Sequence, residues 1–268
     1  RQKAEALATQ ERKLRLELED MLQKERSLRL QEKTLSQARD QFILSSQHYF
    51  RTPLTTILGF LELTLAGDFG KITPSLRKKL TIIRESALEL RKRIEEGLDI
   101  TQFQLGRAIL QPQPTNIRLF LQDIIHHLQP AAQLKHLSIT LQPPPHPLPH
   151  LSIDPKRMKE ALVNLIDNAI KHTLQGGVTI SLQLHPSPTS PSSLLIIIKD
   201  TGIGIAPQEL PLLGQIPFQR GETAKKHTPL GKGIGLYLSR LIIEAHGGKL
   251  TLSSKGKNQG TTVIVELP

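Results

Sequence analysis

Four short stretches of this chain combine residue types and spacings that could carry chemistry. Asp200-Thr-Gly202-Ile-Gly204-Ile follows directly on an apolar run, Leu194–Lys199. Glycines at a strand's end let the backbone bend and come close to a ligand. A carboxylate buried there can accept a hydrogen bond from an exocyclic amine. Taken alone, the stretch is equally a structural turn. Gly231-Lys-Gly233-Ile-Gly235-Leu236 opens a helix, and the N–H groups and dipole of a helix N-terminus favour phosphate. It is neither a P-loop nor a dinucleotide fingerprint, because no strand immediately precedes it and no Gly-Lys-Ser/Thr follows. Asn164-Leu-Ile-Asp167-Asn168-Ala-Ile-Lys171-His172 lies inside an amphipathic helix. Asn164, Asn168, Lys171 and His172 fall three to four residues apart and share a face, while Leu162, Leu165, Ile166 and Ala169 point to the core. Two amides, a cation and an imidazole on one face suit a Mg²⁺–triphosphate, since hard cations take amide oxygens; the bland alternative is an ordinary polar helix face. The fourth stretch is Ser46-Gln-His48-Tyr49-Phe50-Arg51-Thr52-Pro53-Leu54. A lone histidine on a helix is usually structural, so this stretch gains meaning only from its surroundings.

The elements that must hold these residues fall into two textures. Residues 1–47 lack Pro and Gly. Leu7, Leu14, Met21, Leu28, Leu35 and Phe42 recur every seven residues, which keeps one stripe on one helix face. The second seam, Ala4, Glu11, Leu18, Glu25, Glu32 and Arg39, is poor, so residues 1–40 are expected to form a marginal parallel coiled coil. The helical pattern runs on through Pro53, where a kink is expected, to about Ala66. Asp68, Gly70 and Pro74 then punctuate it. A second helix is predicted over Ser75–Leu105, with Leu76, Leu80, Ile83, Ala87, Leu90 and Ile94 on one stripe and Gly106 as its C-cap. One such hairpin, over residues 41–106, has little core. Two make a four-helix bundle, so a homodimer is expected.

Beyond Gly106, short β-like runs alternate with helices. Strands are predicted at Arg107–Leu110, Ser138–Leu141, Val178–Leu184, Leu194–Lys199, Lys249–Ser253 and Thr262–Leu267. Helices are predicted at Ile117–Leu134, Pro155–Thr173 and Ile234–Ala245. Residues 107–268 therefore read as an α/β sandwich: one mostly antiparallel sheet with helices on one face. The fold class of the whole is α+β. Pro143–Pro149 and Pro186–Ser193 read as hairpin loops. Residues 206–232 carry no periodicity, and a loop that long in a compact domain is usually a functional lid.

Composition narrows the chemistry. With no Cys, the chain has no disulfides, no thiol nucleophile and no Cys-ligated metal, which also suits a reducing compartment. No apolar run reaches the roughly 18 residues needed to span a bilayer, and no signal peptide is visible. The chain starts at Arg1 in mid-helix, so it is expected to be a fragment of a longer protein; any membrane attachment would lie in that upstream part. The formal charge is +11, from 35 Lys+Arg against 24 Asp+Glu. It divides as +4 for residues 1–106 (19 against 15) and +7 for residues 107–268 (16 against 9). A basic surface attracts nucleotides, nucleic acid, anionic lipid or acidic proteins alike. Recognition motifs and interleaved aromatics for nucleic acid are lacking.

In this order and spacing, the three C-terminal stretches resemble the ATP-binding domain of sensor histidine kinases, in the Bergerat (GHKL) superfamily. The resemblance covers residues 107–268 and includes a phenylalanine box, Ile216-Pro-Phe218-Gln-Arg220, and the closing Gly260-Thr261-Thr262. It implies that Asp200 recognises adenine, that Asn168 ligates Mg²⁺ and that Lys171 contacts phosphate. It also implies that Gly231–Gly235 wraps the phosphates. The remaining cofactor-binding candidates are Asn164, His172, Gly202, Gly204, Phe218, Arg220, Leu236, Thr261 and Thr262. The His48 stretch resembles the phosphoacceptor box of the same family. This implies His48 as the nucleophile, Thr52 one turn on along the same face, and Arg51 beside it. The implied activity is an ATP-dependent protein-histidine kinase, localised in the cytoplasm, that passes its phosphoryl group to an aspartate of a response regulator.

Two features bear on rival readings. Tyr49 stands where the family usually has Glu or Asp. A phenol of pKa about 10 is a poor base at neutral pH, so the alternative is an ATP-binding pseudokinase that signals by docking. Asn164 stands where the related chaperone, mismatch-repair and topoisomerase ATPases carry the Glu that activates water. An amide cannot serve as that base.

Overall fold

In the computed structural model, the described residues are 2–144, 146–185, 193–217, 219 and 233–268. The chain divides into two compact units, Arg1–Thr101 and Gln102–Pro268.

The first unit is helical. Helix α1 spans Gln2–Ala66 without interruption at Pro53. At 1.5 Å per residue it is about 100 Å long. It stops where glycine allows a left-handed residue: Gly67 has φ +99°, and the amides of Gly67 and Asp68 donate back to the carbonyls of Thr64 and Leu63. Helix α2 spans Pro74–Gln104 and ends the same way. Gly106 has φ +64°, with its amide on Phe103 and that of Arg107 on Gln102. Thr73 supplies the hydroxyl that accepts from the Leu76 amide at the start of α2. Among the described residues the hairpin's core is small: a cluster of Leu54, Leu58 and Ala87 with Leu88 and Ile94 against them, and Leu61, Leu98 and Ile100 buried besides. The predicted α2 stripe therefore divides in two. Ala87 and Ile94 pack inward, whereas Leu76, Ile83 and Leu90 are exposed. On α1, Ile57 and Phe60 are exposed as well, as are Met21, Leu28 and Leu35 of the heptad stripe. The side chains of Leu7, Leu14 and Phe42 lie outside the described residues.

The second unit is an α/β sandwich. Strands β1 (Gln113–Thr115) and β3 (Leu151–Ile153) form a small antiparallel pair. The main sheet contains β2 (Ser138–Leu141), β4 (Gly177–His185), β5 (Ser193–Asp200), β6 (Lys249–Ser253) and β7 (Thr262–Leu267), in the order β2-β4-β5-β7-β6. Only β2 and β4 run parallel among these neighbours. Burial alternates along β4, β5 and β7. The register aligns Ile180, Ile198 and Val263 across the sheet, and Leu182, Ile196 and Val265 beside them. That period of two places one face in the core. The helices α3 (Ile117–Leu134), α4 (Pro155–His172) and α5 (Gly235–Ala245) cover it. Their own buried residues include Leu121 and Ile124, Leu162 and Ile166, and Leu238 and Ile242.

Asn116 and Asp154 cap α3 and α4 at their N-termini. Asp154 does more. Its Oδ2 accepts from the Gln111 amide at 2.9 Å, and its own amide donates to Nε2 of His246, 3.0 Å away at the end of α5. Burial pushes its carboxyl up, but amides of Gln111, Arg157 and Lys156, with His246 nearby, outweigh that and hold it below the ordinary range.

The structure corrects two expectations. Arg107–Leu110 is not a strand; the strand is Gln113–Thr115, whose partner Leu151–Ile153 is too short to leave a pattern of alternation. Residues 142–150 are not a hairpin loop but join β2 to β3, strands of different sheets. Residues 186–192, at the tip between β4 and β5, lie outside the described residues. Among the described residues no helix is long and apolar enough to cross a membrane.

Candidate nucleotide site

Asp200 ends β5 and is 6% exposed. Its Oδ1 accepts from the amides of Gly202 at 2.8 Å and Thr261 at 3.0 Å. Among the described residues both of these bonds fall on Oδ1, which leaves Oδ2 to accept from a ligand. Burial raises the Asp200 carboxyl above its ordinary value, opposed by the two amide hydrogen bonds. β7 lies beside β5, so the Thr261 amide reaches Asp200 from the start of β7; the Asp200 amide in turn donates to the Thr261 carbonyl.

Glycine is required in this loop for closeness. A Cβ at Gly202 would run into the His172 carbonyl at the end of α4. One at Gly204 would meet the Gly256 carbonyl, and one at Gly260 the Asp200 carbonyl. Hydrogen bonds fix the same approach: Ile203 N–H to the His172 carbonyl at 3.0 Å, Gly260 N–H to the Gly202 carbonyl at 3.1 Å, and Asn258 N–H to the Ile203 carbonyl at 2.7 Å. The Thr201 hydroxyl donates to the Gln175 carbonyl and accepts from the Gly177 amide. Three segments far apart in sequence, 172–177, 200–205 and 254–261, therefore meet around one carboxylate.

On α4, Met158, Ala161, Leu162, Leu165, Ile166, Ala169 and Ile170 are buried, while Asn164, Asn168 and His172 are half-buried and Lys171 is exposed. The predicted polar face is thus the open one. Lys171 pairs with Asp167 one turn back. The N-terminus of α5 lies against that face: a Cβ at Gly235 would stand 2.9 Å from Oδ1 of Asn164, and the Ser239 hydroxyl donates to the Ala161 carbonyl at 3.2 Å. Ile234 offers no side-chain cap to α5, and the first amides of a helix have no intrahelical acceptor. Gly233 has φ +72°, and a Cβ there would meet the Gln219 carbonyl, which brings the phenylalanine-box segment against the glycine segment. Leu236 packs on Gly214. Phe218, Arg220, Gly231 and residues 221–232 of the predicted lid lie outside the described residues.

The donor set fits a divalent cation that enters with a triphosphate. Among the described residues no three His, Cys, Asp or Glu cluster as a resident metal site. The amides of Asn164 and Asn168 stand half-buried on the open face, and Mg²⁺ typically takes one or two protein ligands plus phosphate oxygens.

In the helical unit, Tyr49, Phe50, Arg51, Thr52 and Pro53 are exposed on α1. The Arg51 and Thr52 carbonyls accept from the Thr55 and Thr56 hydroxyls at 2.8 and 3.2 Å. His48 lies in α1; its side chain is outside the described residues.

Sequence reasoning missed Asp154 with His246, and Lys135. The Asp-Pro pair at 154–155 is a readable helix-start signal. Lys135, at the end of α3, left none; its Nζ donates to the carbonyls of Ile170 and Lys171 at 3.0 and 2.8 Å.

A buried carboxylate on glycine-rich strand-end backbone, linked to the end of an asparagine-bearing helix, in an α/β sandwich, is an arrangement suited to binding a nucleotide. Comparison with known proteins agrees. The chain matches the family described as "Histidine kinase-, DNA gyrase B-, and HSP90-like ATPase" over residues 153–268, and the "His Kinase A (phospho-acceptor) domain" over residues 38–106. It is 34% identical over 235 residues to the sensor protein GacS of Pseudomonas syringae pv. syringae, covering 87% of this chain and 25% of GacS. It is 30% identical over 241 residues to the histidine protein kinase DivJ of Caulobacter vibrioides, covering 90% of this chain and 39% of DivJ. Among solved structures, full-length ShkA in complex with AMPPNP superposes with a TM-score of 0.71 at 27% identity, over 84% of this chain and 45% of ShkA. The Acinetobacter baumannii histidine kinase AdeS, at 20% identity and a TM-score of 0.54, shares the fold. The chain belongs to the sensor histidine kinases of two-component systems, and it spans about a quarter of GacS and two fifths of DivJ.

Proposed function

We propose that this chain is a kinase core that binds ATP·Mg²⁺ in residues 107–268, autophosphorylates on His48, and passes the phosphoryl group to an aspartate of a response regulator receiver domain. The observation that carries the reading is the Asp200 carboxylate, buried with Oδ1 held by two amides. That leaves Oδ2 as a fixed acceptor, the arrangement that selects an amine such as adenine's N6. Gly202 and Gly204 let the ring approach the backbone, with Thr261 and Thr262 closing that side. Asn164, Asn168, Lys171 and His172 serve the phosphates, with the amides of Gly233, Gly235 and Leu236 opposite. Phe218, Arg220 and Gly231 complete the lid. Mg²⁺, held by Asn168 and phosphate oxygens, supplies charge neutralisation when bound.

At the acceptor, a ring nitrogen of His48 forms the P–N bond as the bond from phosphorus to the β–γ bridging oxygen breaks. The ring then gives up its proton. Arg51 offsets charge on the transferred group, and Thr52 serves on the same face. Most of the acceleration comes from positioning and charge compensation. Residues 1–40 act as a coiled-coil signalling helix and residues 41–106 as the dimerisation and phosphotransfer domain of a cytoplasmic homodimer. GacS and DivJ, the curated relatives compared above, are named as a sensor and a kinase, which gives the pseudokinase alternative no support.

Incubation of the whole chain with labelled ATP tests this. The product should be acid-labile and base-stable, and His48→Gln should abolish labelling while ATP binding persists. Label surviving in His48→Gln, or a wild-type chain that binds no ATP, refutes the reading.

A further inference from the structure

The end of α4 is where the site's parts converge, and one cation outside the recognised motifs holds it. The last carbonyls of an α-helix have no intrahelical donor. Here three are satisfied from elsewhere: Ile170 and Lys171 by the ammonium of Lys135 at 3.0 and 2.8 Å, and His172 by the Ile203 amide at 3.0 Å. Lys135 is the C-cap of α3, and its placement depends on an unusual turn. The next residue, His136, is left-handed, with φ +56°, a conformation unfavourable for a residue with a Cβ. The turn is closed by the amides of His136 on Gln133 and of Leu137 on Ala132. It is then fixed to the segment after α4, since the Ser138 amide donates to the Gly176 carbonyl at 3.1 Å. The same segment receives Thr201 from the Asp200 loop.

Resting on the nucleotide-site reading above, we propose that Lys135 is a positioning residue of that site. Its ammonium bridges two successive α4 carbonyls and so sets the last turn, which carries Lys171 and His172. The His172 carbonyl, next in line, holds Ile203 and thereby the loop that presents Asp200 and Gly202. A cation at a helix C-terminus also offsets the negative end of the dipole. Lys135 touches no reacting atom; it acts through the backbone that two ligand-facing segments share.

The test uses the whole chain, with ATP·Mg²⁺ titration and amide hydrogen exchange measured without nucleotide. Wild type must bind ATP; if it does not, the site reading fails before this one is reached. Given wild-type binding, Lys135→Met should weaken ATP affinity about three- to tenfold, the range expected for charge-assisted hydrogen bonds at a partly exposed site. Lys135→Arg, which keeps a charged donor able to reach two carbonyls, should recover affinity to within about twofold. Exchange at the Ile203 amide should rise several-fold in Lys135→Met, with Ile196 and Val265 in the sheet unchanged. Should Lys135→Met fail to fold, Lys135→Gln, a shorter neutral donor, takes its place with the same expectations. Unchanged ATP affinity overturns the proposal, as does unchanged exchange at Ile203. So does loss of protection across the whole sheet in both variants, since Lys135 would then support the fold at large.

Discussion

The ligand-binding use proposed for Asp200 is set against stability. Its carboxyl is raised above the ordinary value by burial, so the fold prefers the protonated form. That contribution is fully present below the unfolded-state pKa and is lost as pH rises through the raised folded-state pKa, above which the ionised form is held at a desolvation cost. Asp200→Asn removes the buried charge and keeps an oxygen for the Gly202 and Thr261 amides. It should therefore unfold at the same or a higher temperature than wild type at pH 7, while ATP affinity falls by about tenfold or more. Thermal melts paired with calorimetric titration check both halves; a variant that is less stable at pH 7 contradicts the argument. Asp154 has the opposite sign. Held below its ordinary value, it contributes stability above the unfolded pKa that is lost as pH falls through the lowered one.

Elements differ in how much of them could be read from the sequence. Ile117–Leu134, Ser138–Leu141, Lys249–Ser253 and Thr262–Leu267 were legible to the residue, because alternation or a 3.6-residue period ran their full length between clear breakers. β1 and β3 have three residues each, fewer than two periods, and prolines surround both. The candidate site could be picked out where a residue type would carry the chemistry, as with Asp200 or Asn164. It was illegible where the partner is a backbone carbonyl: Lys135 acts on Ile170 and Lys171, about 35 positions away, and a carbonyl leaves no mark in the sequence. Glycines separate into two kinds by the same physics. Gly106 and Gly260 share φ near +65°, but a Cβ meets nothing within 4 Å at Gly106, whereas at Gly260 it meets the Asp200 backbone. Gly106→Ala should cost about 1 kcal/mol for the left-handed backbone alone. Gly260→Ala adds overpacking and should cost about 2–5 kcal/mol. Chemical denaturation of the two variants side by side gives the comparison; equal losses would mean that the close approach at Gly260 relaxes freely.

At the scale of the molecule, the helical unit is short of core. Among the described residues its buried cluster is Leu54, Leu58 and Ala87, with Leu61, Leu98 and Ile100 also buried, while Leu76, Ile83, Leu90, Ile57 and Phe60 stay exposed. A second hairpin would cover them, the four-helix arrangement that such a heptad division fits. The chain should sediment as a dimer, and Ile57→Glu with Ile83→Glu should shift it to monomer without loss of ATP binding. A wild-type monomer at micromolar concentration would defeat this expectation. Net charge, by contrast, was legible and uninformative: +11 selects no partner among the anions it attracts.

The position of β7 has a consequence for how the protein is made. β7 is the last of these strands to leave the ribosome, yet it lies inside the sheet between β5 and β6, and Thr261 at its threshold supplies one of the two amides on Asp200. Until it emerges, β5 offers an unpaired edge, and the Asp200 carboxylate lacks half of its support. Between the synthesis of β5 and that of β7 the nascent domain thus holds a sheet it cannot close. The paired amides on Asp200 exist only once Thr261 has been made, so under the proposed reading a chain stalled before Thr261 should not capture ATP.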